Sequence, residues 1–100
     1  MNNVFAASIA SLLLVTANSG MAGDLTAGRS KAASCSGCHG VNGISANPLW
    51  PNLAGQKQAY LTKQLKAFRD GTRSDPMMTP MAKPLSDADI ENLAAYFSSL

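Results

Sequence analysis

The sequence predicts an all-α domain, and three observations indicate this class. Three segments repeat their apolar residues at helical spacing. No segment alternates apolar and polar residues as a half-buried β-strand does. The connecting loops are long, rich in proline and glycine, and carry large apolar side chains that favour burial. With 100 residues, the chain has the length of one small domain.

The N-terminal segment predicts export. Residues 4–17 form an apolar run of about 14 residues, which matches a signal-peptide core and is shorter than the about 20 residues of a spanning helix. Cleavage after Ala22 or Ala17 fits the rule of small residues at the cleavage site, although no Lys or Arg precedes the run. We expect residues 1–22 to be a signal peptide, with an uncleaved membrane anchor as the alternative. Residues 23–100 would then form a periplasmic domain.

The first two helices follow from apolar spacing and end signals. Residues 24–35 place small and apolar residues at helical spacing, and residues 55–71 carry an apolar face. Gly71 is placed where a left-handed residue would end the second helix.

The last helix has the clearest start. Ser86 is a favoured N-cap residue, and Asp89 follows three residues later in a pattern that resembles a capping box. Acidic residues in the first turns also suit the helix dipole. Its apolar residues lie along one face of the helix, in a single stripe: Ile90, Leu93, Ala94 and Phe97.

The two long loops, residues 40–56 and 72–85, indicate that the domain encloses something other than protein. Aromatic residues make up only 6% of the chain, so a purely protein core would be small. The prolines at positions 76, 80 and 84 are expected to keep the second loop out of a helix. Seven large apolar side chains of these loops would cover an apolar body: Leu49, Trp50, Leu53, Met77, Met78, Met81 and Leu85.

The sequence CSGCH, residues 35–39, holds both cysteines and the sole histidine of the chain. A structural disulfide would close too short a loop to stabilise much. A thioredoxin-like pair needs strands, and a zinc site needs about four ligands. The spacing favours covalent c-type haem attachment, in which Cys35 and Cys38 add to the two vinyl groups and His39 binds the iron.

Charge gives a weaker signal. The net charge of +2 and the 14% of charged residues do not suggest a nucleic-acid binder. Lys57, Lys63, Lys66 and Arg73 lie in or near the second helix. They form either an ordinary solvated face or a basic rim that steers an acidic partner.

From residue 23 to residue 100 the sequence resembles small bacterial class I cytochromes c. It is similar to one domain of the two-haem periplasmic cytochromes, and to the haem subunit of flavocytochrome c sulfide dehydrogenases. The segments KAASCSGCHGVNG, PNLAGQ, YLTKQLKAFRDGTR and MMTPMAKPLSDADIENLAAYF carry the resemblance. It implies crossed N- and C-terminal helices and long loops around a covalent haem. A single CxxCH motif implies one haem c in this chain.

The resemblance also implies roles for particular residues. Cys35 and Cys38 would carry the thioether bonds, and His39 would be the proximal ligand, oriented by the carbonyl of Pro51. Leu53 would pack on the haem face. Gly28 in the first helix would meet Leu93 and Tyr96 of the last.

The distal iron ligand would come from the second loop. The family's pattern selects Met78, with Met81 as a packing position and as the fallback ligand, and with Met77 as an extra methionine.

These features predict an electron-transfer protein rather than an enzyme. A His/Met-ligated haem passes single electrons, so we expect a periplasmic carrier with a redox donor and acceptor, and no nucleic-acid partner. The alternative is a haem-bearing subunit of a redox enzyme, for example with a flavoprotein partner. A third class, an enzyme or gas sensor with an open iron, requires that no methionine binds.

Overall fold

A computed structural model of the chain describes residues 10–11 and 23–100. The predicted signal peptide, apart from two positions, lies outside the described residues. The described part consists of helices and loops without a strand, as predicted. In the described residues, no helix combines the length and the apolar character needed to cross a membrane. The helices are α1 (Leu25–Lys31), α2 (Ser36–His39), α3 (Gln58–Asp70), α4 (Met78–Ala82) and α5 (Asp87–Ser99), with a 3-10 turn over Ala32–Ser34.

The crossing of α1 and α5 organises the fold. A Cβ atom on Gly28 would lie 2.7 Å from the carbonyl carbon of Asn92 and 2.8 Å from the Cβ of Tyr96, so the two backbones approach as only glycine allows. The nearest atoms belong to Asn92 and Tyr96, which confirms the predicted contact with Tyr96. The side-chain oxygen of Asn92 also accepts a hydrogen bond from the backbone N–H of Asp24 at 2.8 Å. This fixes the start of α1 against α5.

The predicted capping box of α5 is present. The Ser86 hydroxyl accepts from the backbone N–H of Asp89, and the Asp89 carboxylate accepts from the backbone N–H of Ser86. Lys31 of α1 lies 3.4 Å from the same carboxylate. The predicted apolar stripe of α5 is buried in full, and it forms the largest share of the core: Ile90, Leu93, Ala94 and Phe97.

Helix α3 packs against both α4 and α5. It ends at Gly71, which adopts the predicted left-handed conformation with φ of 87°. Near this end, Arg69 pairs with Asp70 at 2.9 Å and with Asp87 of α5 at 2.7 Å. These hydrogen bonds raise the pKa of Arg69 and join the end of α3 to the start of α5.

Two predictions about helix extent were wrong. The first helix leaves α geometry after Lys31 and tightens into a 3-10 turn. The hydroxyl of Ser34 bonds to the carbonyl of Lys31, and that of Ser36 to the carbonyl of Ala33, so serine side chains compete for the backbone here. Leu25, which belonged to the predicted apolar set, is 53% exposed.

The second long loop is also more helical than its prolines predicted. Helix α4 contains Pro80. Proline is tolerated there because Pro80 is the third residue of the helix, where the missing N–H would have no intrahelical acceptor. Asp75 accepts hydrogen bonds from the N–H groups of Met77 and Met78 and so starts the turn.

Gly28→Ala should destabilise the protein by about 1–3 kcal/mol, because the added methyl group overlaps backbone atoms of α5 and forces the helices apart. Chemical denaturation of the haem-loaded protein measures this. Gly37→Ala is the matched control, since no heavy atom lies within 4 Å of a Cβ at that helical position. Equal stability of the two variants would contradict the close crossing.

Asp89→Asn should destabilise the protein at pH 7 and have less effect near pH 3. Hydrogen bonding from the Ser86 backbone N–H, followed by the charge of Lys31, lowers the pKa of Asp89 below its ordinary value of 3.8. A carboxylate with a lowered pKa stabilises the fold above that ordinary value and loses the effect as the pH falls through the lowered pKa. Denaturation midpoints across this range test the effect.

The control is Glu91→Gln, which removes the same charge from α5 outside the capping box. If the Asp89 and Glu91 variants lost stability equally at pH 7, the capping box would not be the cause.

Candidate functional site

An apolar cavity of about 570 Å³ lies between the helices and the two long loops. Its volume is in the range of about 300–1,000 Å³ that is typical of ligand and cofactor sites. All seven large apolar side chains predicted to cover a non-protein body line this cavity. Both cysteines, the histidine and Pro51 also line the cavity, so it gathers every residue predicted to hold or orient a haem ligand.

His39 is the most firmly placed of these residues. It ends the short helix α2, is only 7% exposed, and its Nδ1 lies 2.8 Å from the carbonyl oxygen of Pro51. Because a carbonyl oxygen can only accept, Nδ1 must carry the proton. The lone pair is therefore on Nε2, the nitrogen available to bind a metal. This confirms the predicted role of Pro51 in orienting the ring.

The two cysteines lie on the same turn of chain as His39. Cys35 precedes α2 and packs against the core cluster, and Cys38 is its third residue. Both thiols are half-buried and are not joined in a disulfide. Burial raises the pKa of the Cys35 thiol, which disfavours the thiolate that a thiol-redox enzyme needs. The described residues hold no group of three or more His, Cys, Asp or Glu that could form a zinc site.

Three methionines line the cavity from the opposite loop. Met78 opens α4 and is half-buried, whereas Met77 is 55% exposed and Met81 is 46% exposed. The exposure of Met81 differs from the buried packing position that the sequence predicted. Of the three, Met78 is the one most enclosed by the protein.

The backbone at Met78 is held in place by Asp75. The Asp75 carboxylate accepts from the N–H of Met78 at 2.9 Å and from that of Met77 at 2.8 Å. These bonds, that of Met78 first, lower the pKa of Asp75 below its ordinary value of 3.8. Sequence reasoning missed this residue, although an Asp directly before Pro76 is a helix-start signal that could have identified it.

The sequence left Arg73 on either a solvated face or a basic rim, and the structure gives it contacts with neighbouring side chains. Its Nη1 donates to the side-chain oxygen of Gln64 at 2.6 Å, and its guanidinium carbon lies 4.4 Å from the ring centroid of Phe68. Arg73, Lys57 and Lys63 are all exposed, and of the three only Arg73 lines the cavity.

The donor set and the shape fit a covalently attached haem. One apolar cavity is lined by two thiols on one helical turn, an imidazole with a free Nε2 and a thioether. This combination provides two attachment points, two axial ligand candidates and apolar walls for a flat apolar macrocycle.

Comparison with known proteins agrees with this reading. The family model described as Cytochrome c matches residues 26–100. A cytochrome c-554(548) from Halomonas halodenitrificans is 49% identical over 81 residues, which cover 78% of this chain and 98% of that protein. A thiosulfate dehydrogenase electron acceptor from Thiomonas intermedia is 49% identical over 72 residues, covering 70% of this chain and 33% of that protein.

The fold is also found among solved structures. The crystal structure of reduced recombinant cytochrome c4 from Pseudomonas stutzeri matches with a TM-score of 0.74 and 48% sequence identity. The match covers 78% of this chain and 46% of the cytochrome c4 chain, so this chain spans less than half of that protein. With the family model matching most of the chain, the fold is that of class I cytochromes c. The chain therefore belongs to the cytochrome c family and is an electron-transfer protein that carries haem c.

Proposed function

We propose that the protein is a periplasmic single-electron carrier whose haem c is held by Cys35, Cys38, His39 and Met78. The observation that carries this proposal is the 2.8 Å hydrogen bond from His39 Nδ1 to the Pro51 carbonyl, inside the cavity that also holds both thiols and Met78. The bond leaves Nε2 free to bind iron and prevents rotation of the ring.

Each residue contributes a distinct function. The thiols of Cys35 and Cys38 would hold the haem through thioether bonds to its two vinyl groups, each S–H hydrogen going to a vinyl carbon. His39 would bind the iron, and the cavity walls would exclude water. When bound, the haem supplies a one-electron couple between ferric and ferrous iron. A thioether ligand stabilises the ferrous form and so raises the reduction potential.

Met78 is supported as the distal ligand by its environment. It is the most enclosed of the three cavity methionines. The Asp75 carboxylate holds its backbone at the start of α4, which limits movement of the side chain's attachment point. Met81 remains the fallback ligand, one turn further along the same helix.

Electron exchange with protein partners requires an accessible edge of the haem site. Exposed apolar side chains lie at this part of the site. Leu49 lines the main cavity, and Val41 and Ile44 line a neighbouring groove that Cys38 shares. Val41 is 78% exposed and Leu49 is 85% exposed. We infer that this surface contacts the redox donor and acceptor, since large exposed apolar residues in a cluster mark interaction sites.

A second candidate function is the electron-accepting component of a sulfur-compound dehydrogenase, including one with a flavoprotein subunit. Its support is the similarity to a protein named thiosulfate dehydrogenase electron acceptor. Size-exclusion chromatography of a native periplasmic extract separates the two candidates. A freely diffusing carrier elutes at the size of this chain alone, and a bound subunit elutes with its partner.

Met78→Ala should abolish the charge-transfer band between the methionine sulfur and ferric iron, lower the reduction potential and open the reduced iron to carbon monoxide. Each change follows from loss of the thioether ligand. Met81→Ala is the matched control and should keep the band. Because Met81 is 46% exposed, its truncation should cost less than the roughly 2–5 kcal/mol of a fully buried methionine.

If Met81→Ala lost the band and Met78→Ala kept it, the assignment of the two residues would be reversed. Carbon monoxide binding to the unmodified reduced protein would instead indicate an open iron, and with it an enzyme or sensor.

Removal of residues 1–22 should leave the protein in the cytoplasm without covalent haem. The reason is that this apolar, uncharged segment is the export signal, and haem c attachment follows export. Haem staining of denaturing gels from cell fractions measures the outcome. The full-length chain is the control, and periplasmic holoprotein from the truncated chain would contradict the role of the segment.

A further inference from the structure

The backbone that carries Met78 is closed by hydrogen bonds within its own segment. The N–H groups of Met77 and Met78 donate to the same oxygen, Oδ1, of Asp75 at 2.8 and 2.9 Å. The N–H of Thr79 donates to the Asp75 carbonyl, and the N–H of Asp75 donates to the Thr79 hydroxyl, both at 3.0 Å. The one other residue of the segment is a proline, which has no N–H. We call these four bonds the Asp75–Thr79 lock.

Met81 lies outside this lock, three residues beyond Met78 on α4. Both side chains line the cavity, so either thioether has the chemistry of an iron ligand. An α-helix rises about 1.5 Å per residue, so bringing Met81 to the position of Met78 would require a shift of α4 by about 4.5 Å. Such a shift would break the hydrogen bonds to Asp75. The lock therefore favours Met78 over Met81.

The restraint matters most after the haem has given up its electron. A thioether ligand raises the reduction potential because it binds ferrous iron more tightly than ferric iron. The bond from Met78 is therefore the weaker one in the oxidised protein, and the side chain is released more easily there. Hydrogen bonds that fix the backbone reduce the conformational freedom that Met78 would gain on release, so they favour the bound state.

We propose that Asp75 is a positioning residue that keeps Met78 on the oxidised iron and excludes Met81, with the Thr79 hydroxyl as its partner. This inference rests on the proposed haem site and adds to it a residue that acts only through the ligand's backbone. A single side-chain oxygen accepts both N–H groups, so the hydrogen bonds rather than the charge carry the effect. An amide oxygen at the same position should therefore act in its place.

The first test measures how readily imidazole displaces Met78 from the ferric holoprotein, followed by the charge-transfer band between the methionine sulfur and iron. Asp75→Ala should raise the affinity for imidazole by about tenfold or more, which corresponds to the loss of one hydrogen bond to a charged group. Asp75→Asn keeps the accepting oxygen and should stay near the unmodified protein.

Asp89→Ala is the matched control for this measurement. The carboxylate of Asp89 also accepts a backbone N–H at the start of a helix, but Asp89 does not line the cavity. The variant should lose stability without a change in imidazole affinity. If Asp75→Ala fails to hold haem, Thr79→Val decides, since it removes one bond of the lock and should still bind imidazole more tightly than Asp89→Ala does.

The second test asks whether opening the lock lets Met81 bind the iron. Met78→Ala alone should lack the charge-transfer band, because the lock holds Met81 away. Asp75→Ala combined with Met78→Ala should recover part of the band, and a further Met81→Ala should remove it again.

Equal imidazole affinities of the Asp75→Ala and Asp89→Ala proteins would overturn the proposal. So would the absence of the band from the combined Asp75→Ala and Met78→Ala protein. A band that survives Met78→Ala alone would instead contradict Met78 as the distal ligand of the proposed function.

Discussion

The fold depends on the packing of apolar side chains around one cavity. Contacts within the protein bury only a modest set of residues in the described part of the chain. Just two large side chains there, Ile90 and Leu93, are almost fully buried. Seven large apolar residues of the loops line the cavity. A domain of this size usually needs an additional element to be stable, and haem c provides both apolar area and covalent attachment.

The frame around the cavity is built from close contacts that tolerate little change. The backbone approach at Gly28 sets the distance between α1 and α5, and Asp89 links the start of α5 to Lys31. After α1 the chain turns through a 3-10 segment into α2, and this places His39 in the lining of the cavity. The helix crossing and this turn thus position His39 at the cavity, and the hydrogen bond to the Pro51 carbonyl orients its ring.

Much of this arrangement could be predicted from the sequence. Apolar residues in unusual loops indicated a cavity, and the structure places Cys35, Cys38 and His39, the haem-binding candidates of the motif, in its lining. The extent of helix α4 was not predicted, because Pro80 is tolerated in a first turn and the signal of Asp75 was overlooked. The contacts of Arg73 could not be predicted either. Arg73 contacts Phe68 and Gln64, which lie five and nine residues earlier in the chain, across the end of α3. The apolar periodicity of a helix or strand does not predict such contacts.

We infer that the haem group completes the core and that the loops fold around it. The direct test is far-UV circular dichroism with thermal unfolding of a Cys35→Ala/Cys38→Ala chain freed of haem, compared with the holoprotein. We expect low helix content and no cooperative transition, because the loop side chains that line the cavity would have nothing to pack against. Native helix content with a cooperative transition in the haem-free chain would contradict it.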